Sequence, residues 1–400
     1  MTSMWDYLIV TASNDAQAKA YEHQLTLRQH LGLIQDVREV RVIADPGGLR
    51  IGSGGSTLCC LLEVLNHHIE RTDSDPLSPE TWRAVFQALR ILIVHAGGDS
   101  KRLPAYSPCG KIFVPVPGHN DSALPMTLFD RQLPKYLALP CAPAGTGQIV
   151  ITAGDVMLQF DPKEAQLNHP GLVGLGSYAP PEHACHHGVY CRDAQQHVTR
   201  YLQKPTPDQQ HDAGAVDLYG QAILDIGVMS FDANTAVQLL SVCGLKRGPN
   251  TTLEINGPLG QGVFNKEVDF YREICAALGT ETTEDLYLQT VQQCGSPWDT
   301  GTLKTLYQGL KPLAFRVNAL THCDFLHFGT TRQIITSAYA LIQRERLNTA
   351  PREVLSLNNR ITDTGQIQGT TSLVEGCCIQ DTLTLAGDNV VAGLDVTHPM

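Results

Sequence analysis

Apolar positions along the chain follow three different periods. Short, largely apolar runs at Tyr7 to Val10, Val40 to Ala44, Ile91 to Val94 and Gln148 to Thr152 predict buried strands. Between them, Ala16 to His30 has the composition of a crossover helix. Leu58, Leu61, Leu62 and Leu65 then repeat at i, i+3, i+4, i+7, with Ser56 as the expected N-cap, and Trp82, Val85, Phe86 and Leu89 repeat the spacing. Strands alternating with helices predict a mostly parallel sheet covered on both faces. From Ile361 the period changes to six, through Ile367, Leu373, Ile379, Leu385 and Val391. That interval suits neither a helix nor a single strand. It predicts a parallel, left-handed β-helix in which each hexad forms one short side of a triangular coil with its aliphatic residue inward. About two coils are expected, and a stack without a polar cap at Met400 suggests that the native protein continues. The reading is therefore a Rossmann-like α/β domain over residues 1–345 and the start of a β-helix over 346–400.

Composition narrows the functional classes. With 42% hydrophobic residues in 400, the chain can bury a large core. A formal charge of −11 excludes binding of nucleic acid or an anionic membrane through the overall field, so any anion site has to be locally basic. No apolar run approaches the roughly 18 to 20 residues of a membrane helix. The twelve cysteines show no regular framework and no secretory signal precedes them, which predicts reduced thiols and a cytoplasmic protein. Cys59, Cys60, Cys377 and Cys378 are expected to pack as small apolar side chains.

Two glycine-rich turns carry the candidate chemistry. In "RIGSGGSTL", Gly52, Ser53, Gly54 and Gly55 precede the Leu58 helix; backbone without Cβ and a helix N-terminus can receive phosphate, although a tight turn needs glycine as well. In "HAGGDSKRLPAYSPCGK", Gly97, Gly98, Asp99 and Ser100 leave a strand directly. Arg102 and Lys111 follow as a bidentate donor and a point charge for phosphate oxygens. Both turns follow parallel strands, at the carboxyl edge where open α/β sheets bind ligands.

"AGGDSKRLP" with its downstream Gly-Lys resembles the signature of sugar-1-phosphate nucleotidyltransferases. The ordered set "RIGSGGSTL", "ILIVHAGGDSKRLP", "HHGVY", "YLQKP" and "HFGTT" resembles, more narrowly, the fucose-1-phosphate guanylyltransferase (GDP-fucose pyrophosphorylase) region of bifunctional fucokinase/GDP-fucose pyrophosphorylases. The resemblance implies transfer of a guanylyl group from GTP to L-fucose 1-phosphate, with release of pyrophosphate. All participants are anions, so the work is charge neutralisation and in-line positioning. Arg102 and Lys111 would hold the triphosphate, and Mg²⁺ would be bound by one or two carboxylates plus phosphate oxygens. Asp155 in "ITAGD" resembles the metal-holding Gly-Asp of the class; Asp269 is a second candidate, equally readable as a helix-surface carboxylate. Lys204 resembles the lysine that meets the sugar phosphate, with Gln203 where relatives have Glu, and His187 and Gly188 resemble a sugar-side loop. Bifunctional members carry a sugar kinase after the β-helix; no kinase loop is present here, so the chain resembles the transferase half alone, with a covalently linked kinase expected in the full-length protein.

Other features read more plainly. "HACHHG" lacks a matching Cys or His pair at zinc-finger spacing. "HFGTT" reads as a cap for the helix Gln333 to Gln343 rather than a sugar contact. Two rival functions stand beside the transferase: a regulatory module of a fucokinase without transferase activity, against which the presence of Gly97, Gly98, Arg102 and Lys111 argues, and a nucleotidyltransferase for another sugar or base. With the chemistry assigned to the α/β domain, nucleotide binding is expected to survive damage to the β-helix.

Overall fold

The computed structural model describes residues 4–69, 78–98, 100–119, 122–248, 252–255, 265–345 and 354–400. The chain divides into two compact units, Met1–Gly97, Lys135–Ala153 and Gln159–Cys323 in the first, and Gly98–Pro134, Gly154–Leu158 and Asp324–Met400 in the second. The expected boundary after residue 345 falls where the described residues break off.

The first unit is built on a sheet of β1 (Trp5–Ala12), β2 (Val37–Ala44), β3 (Arg90–His95), β4 (Gln148–Ala153), β6 (Leu172–Ala179), β9 (Ala222–Phe231) and β12 (Phe315–Leu320), in the order β12-β6-β9-β4-β3-β1-β2. Only β9 runs antiparallel to its neighbours β4 and β6. A hairpin of β7 (Gly188–Arg192) and β8 (Val198–Gln203) joins β9, and β10 (Leu245–Arg247) pairs with β11 (Leu253–Ile255). The strands β1, β3 and β4 are buried at nearly every position, as covering on both faces requires. The predicted helices form as α1 (Asp15–His30), α2 (Gly52–Ile69) and α3 (Pro79–Gln87). Leu61, Phe86, Ile93, Ile149, Phe231 and Phe270 share one core.

Ser56 does not cap α2. The helix starts at Gly52, and Ser56 lies inside it, donating its hydroxyl to Asp45 Oδ1 at 2.7 Å. The start moves upstream because the glycine segment packs as helix against Val268, whose carbonyl accepts from the N–H groups of Gly54 (2.8 Å) and Gly55 (3.2 Å). Deeper in the unit, Asp225 on β9 accepts from Tyr201 Oη and from the Gly227 amide, both at 2.7 Å. Burial pushes its carboxyl up to about 6, and these hydrogen bonds only partly oppose the rise.

The second unit joins distant stretches of sequence. β5 (Val156–Gln159) pairs with β13 (Asp324–His327), and the helix Thr331–Arg344 follows. Thr330 caps that helix, its hydroxyl accepting from the Gln333 amide, as expected for "HFGTT". The C-terminal stretch forms β14 (Leu355–Leu357), β15 (Arg360–Ile361), β16 (Gln366–Gly369), β17 (Leu373–Glu375), β18 (Cys378–Ile379), β19 (Thr382–Leu385), β20 (Val390–Ala392) and β21 (Asp395–Val396). They form three small parallel sheets, β14-β17-β20, β15-β18-β21 and β16-β19. The six-residue interval holds across the first return of two sheets, where Leu355 lies opposite Leu373 and Ile361 opposite Ile379, and slips elsewhere, where Leu373 lies opposite Val390, Ile379 opposite Val396 and Ile367 opposite Leu383. The returns differ in length because the connecting turns do.

These strands are not separate from the signature loop. Leu355 and Leu373 are buried in the same core as Leu103, Tyr106, Val114, Phe328 and Ile335. Tyr106 also donates its hydroxyl to Glu375 Oε2 at 3.1 Å. The expectation that damage to the C-terminal strands would spare nucleotide binding meets this shared core, which gives the loop and those strands one packing.

Candidate functional site

The first glycine turn has little backbone to offer a phosphate. The amides of Gly54 and Gly55 are already bonded to Val268. A Cβ on Gly52 would stand 2.5 Å from the Val268 carbonyl oxygen, and one on Gly54 would stand 2.9 Å from Val268 Cγ1. Ser53 Oγ accepts from the Phe270 amide at 2.9 Å. The glycines therefore permit close packing of α2 against Val268 to Phe270, and the assignment of Gly54 and Gly55 to nucleotide is corrected: their donors are taken.

Gly97 ends the first unit's part of the signature. Thr11 Oγ1 accepts from the amides of Ala96 (3.1 Å) and Gly97 (3.2 Å), which fixes the exit of β3. A Cβ at Gly97 would lie 3.3 Å from the Ala12 carbonyl carbon, so a close pass of backbone explains this glycine.

Lys204, His187 and Gly188 come together on the β7–β8 hairpin. The Lys204 amide donates to the His187 carbonyl at 3.0 Å, and Gly188 lies opposite Gln203. Lys204 is exposed and has a left-handed backbone, φ +49°. A Cβ at Gly188 would collide with the Tyr201 hydroxyl, so this glycine is required by the buried tyrosine that reaches Asp225. Asp269 caps the helical segment Phe270–Cys275, its Oδ1 accepting from the amides of Tyr271 (2.8 Å) and Arg272 (3.0 Å). That capping duty, rather than a place on a helix surface, occupies Oδ1 of Asp269.

The second unit holds the rest of the signature. Gly98 has φ +152° and nothing within 4 Å of an added Cβ, so its surroundings are open. Asp99 lies outside the described residues. Ser100 is buried with φ +49°, and its carbonyl accepts from Leu103 at 2.7 Å, turning the chain so that Arg102 is exposed. The Arg102 carbonyl accepts from the amide and hydroxyl of Thr331 at 3.0 and 3.3 Å, which pins the arginine's backbone to the start of a helix.

Lys111 and Asp155 meet here. Lys111 Nζ donates to Asp155 Oδ2 at 3.1 Å, and His327 Nε2 stands 3.3 Å from the same oxygen. The three side chains are about equally half-buried, at 20%, 30% and 31% exposure. Burial opposes ionisation of Asp155, but His327 and then Lys111 outweigh it and hold the carboxyl well below the usual carboxylate range. Sequence reading missed His327 as a partner of Asp155; only "HFGTT" marked it, and capping accounts for Thr330 alone. Among the described residues no group of three or more His, Cys, Asp or Glu is placed to hold a metal, "HACHHG" included. Asp155, ionised and partly exposed, fits one hard oxygen ligand of a divalent ion completed by phosphate oxygens.

A family model described as the fucose pyrophosphorylase domain matches residues 83–399. The chain belongs to this family. It is 27% identical over 381 residues to the bifunctional fucokinase/GDP-fucose pyrophosphorylase of Arabidopsis thaliana, covering 88% of this chain and 34% of that protein. It is likewise 27% identical over 304 residues to the L-fucokinase/L-fucose-1-P guanylyltransferase of Bacteroides fragilis (74% and 27%), and 25% over 368 residues to the fucose-1-phosphate guanylyltransferase of Mus musculus (83% and 56%). The chain thus spans between about a quarter and just over half the length of these relatives. The match to the fucose pyrophosphorylase domain takes in the second glycine turn, Lys204, Asp155 and His327, and begins after the first turn. All twelve cysteines are free thiols, and no helix among the described residues is long and apolar enough to cross a membrane.

Proposed function

We propose that this fucose pyrophosphorylase domain transfers a guanylyl group from GTP to L-fucose 1-phosphate, forming GDP-L-fucose and pyrophosphate. The observation that carries the reading is the ionised Asp155 with Lys111 against it, on a chain whose relatives are named for this transfer. Arg102, exposed with a fixed backbone, would take the phosphate chain with its planar fork, and Lys111 would add a point charge. Together they would neutralise charge moving onto the leaving pyrophosphate as the fucose phosphate oxygen attacks the α-phosphorus. Gly98 leaves space for phosphate, and Lys204, beside His187, would meet the sugar phosphate. Mg²⁺ would be held by Asp155 and phosphate oxygens, and when bound it would draw charge from the phosphates.

The same reading takes residues 1–345 as the transferase domain and 346–400 as the start of a left-handed β-helix; the stacked parallel strands with returns near eighteen residues support this. It places the protein in the cytoplasm, consistent with its free thiols, and a covalently linked sugar kinase after the coils is proposed from the two bifunctional relatives. The test is pyrophosphate release across a matrix of nucleoside triphosphates and sugar 1-phosphates. GTP with L-fucose 1-phosphate and Mg²⁺ is expected to exceed every other pair, with turnover abolished by EDTA. Preference for UTP or mannose 1-phosphate removes the fucose assignment, and no turnover from a folded chain favours the regulatory reading.

A further inference from the structure

Asp155 carries a partner that its expected role would displace. An ammonium at 3.1 Å and an imidazole at 3.3 Å share a single oxygen, Oδ2, so the carboxylate's charge is met by the chain's own side chains. The two donors are held differently. His327 ends β13, its carbonyl accepts from Ser337 Oγ at 2.7 Å, and its ring meets Phe325 edge-on, so it has little freedom. Lys111 opens a short turn after Gly110, φ +69°, and reaches Asp155 through a flexible four-carbon stem.

Gly329 marks the point on which these groups converge. A Cβ there would lie 3.0 Å from His327 Nε2, 3.3 Å from Asp155 Oδ2 and 3.4 Å from Gln333 Oε1. Gln333 Oε1 is buried and without a hydrogen-bond partner among the described residues. Gly329 thus keeps open a small space faced by a carboxylate oxygen and an unused amide oxygen. A divalent ion on Asp155 and an ammonium on the same carboxylate would repel each other at close range, so each weakens the binding of the other.

We propose that Lys111 is the resident counter-ion of Asp155 and changes partners, from this carboxylate to the phosphate chain, when a metal-bound nucleotide enters. His327 remains on Asp155 as a positioning residue and keeps the carboxylate aimed; a neutral imidazole with its proton on Nε2 suffices. The exchange suppresses metal binding in the absence of nucleotide and releases a cation where triphosphate charge arrives. It rests on the reading of Asp155 as a metal ligand.

The experiment is titration of the full chain with Mn²⁺, followed by electron paramagnetic resonance, with and without a non-hydrolysable GTP analogue. Lys111→Met and Lys111→Gln are expected to bind Mn²⁺ alone at least about tenfold more tightly than the wild type, in which the analogue tightens Mn²⁺ by more than in either variant. His327→Asn is expected to weaken Mn²⁺ binding with analogue present while circular dichroism is unchanged. Two lysine variants that bind Mn²⁺ alone no better than the wild type, while Asp155→Asn abolishes binding, would overturn the exchange and leave the metal reading standing. Unchanged Mn²⁺ binding in Asp155→Asn would overturn the metal reading itself.

Discussion

The two glycine-rich turns look alike as sequence and differ as structure. In Arg50 to Leu58 the glycines are pressed against protein, with Gly52 and Gly54 against Val268 and Gly55 against Ile51. In His95 to Pro117, Gly97 is tight against the end of β1, but Gly98 faces open space and leads to an exposed arginine and to a lysine on a carboxylate. The lesson is that glycine marks a close approach without naming what approaches. Open space and nearby cations, not the glycines, separate the second turn from a packed helix start.

The hardest test of this contrast reaches the second turn through the coils. Leu373→Asp puts an unpaired charge into the core that holds Leu103 and Tyr106, at a cost of about 4 kcal/mol. Nucleotide affinity and protease resistance of the coils are expected to fall together; a chain with cleaved coils and normal GTP titration would separate the two. Next, Arg102→Ala and Lys111→Ala are each expected to lower kcat/KM about a hundredfold, on the order of 3 kcal/mol, with unfolding midpoints close to wild type. Near-normal turnover in both would reduce the loop to a solvated turn.

The first turn should respond in the opposite way. Gly54→Val drives a side chain into Val268 and Ile274 and is expected to cost about 2 kcal/mol in urea unfolding, while the GTP affinity of the folded fraction stays within a few-fold. A selective loss of affinity at unchanged stability would return the first turn to the nucleotide. The smallest effect concerns pH. Asp225 has its folded carboxyl raised from 3.8 to about 6, so the stability associated with its neutral form is complete below 3.8 and lost as pH rises through 6. The wild type is expected to lose about 1 kcal/mol between pH 5 and pH 8 from this group, and Asp225→Asn to abolish that slope in chemical denaturation. Asp155 has the opposite sign: its carboxyl is depressed, so its contribution is present above 3.8 and lost only in strong acid.

Much of the first unit was legible because its elements bury regular faces. The runs at Tyr7, Ile91 and Gln148 became β1, β3 and β4, and the leucine spacing from Leu58 lies on α2. The start of α2 was not legible, because Val268, far away in sequence, supplies the acceptor that a local cap would have supplied. The hexad from Ile361 predicted parallel returns but not their register, which depends on turn geometry between strands. Arg102, Lys111 and Asp155 could be singled out by residue type and resemblance. That Lys111 lies on Asp155, with His327 beside it, comes from a fold that gathers three separate stretches into one unit.

The hydrogen bond from Tyr106 to Glu375 and the leucines beneath it have a consequence for how this unit opens. Leu103, Tyr106, Leu355 and Leu373 share buried contacts, so exposing any one of them to solvent uncovers the others. Amide protons of the signature loop and of β14 and β17 should therefore exchange with deuterium at a common opening free energy, as one cooperative segment. Any influence that steadies the C-terminal strands, such as a crosslink, would then steady the signature loop to the same degree.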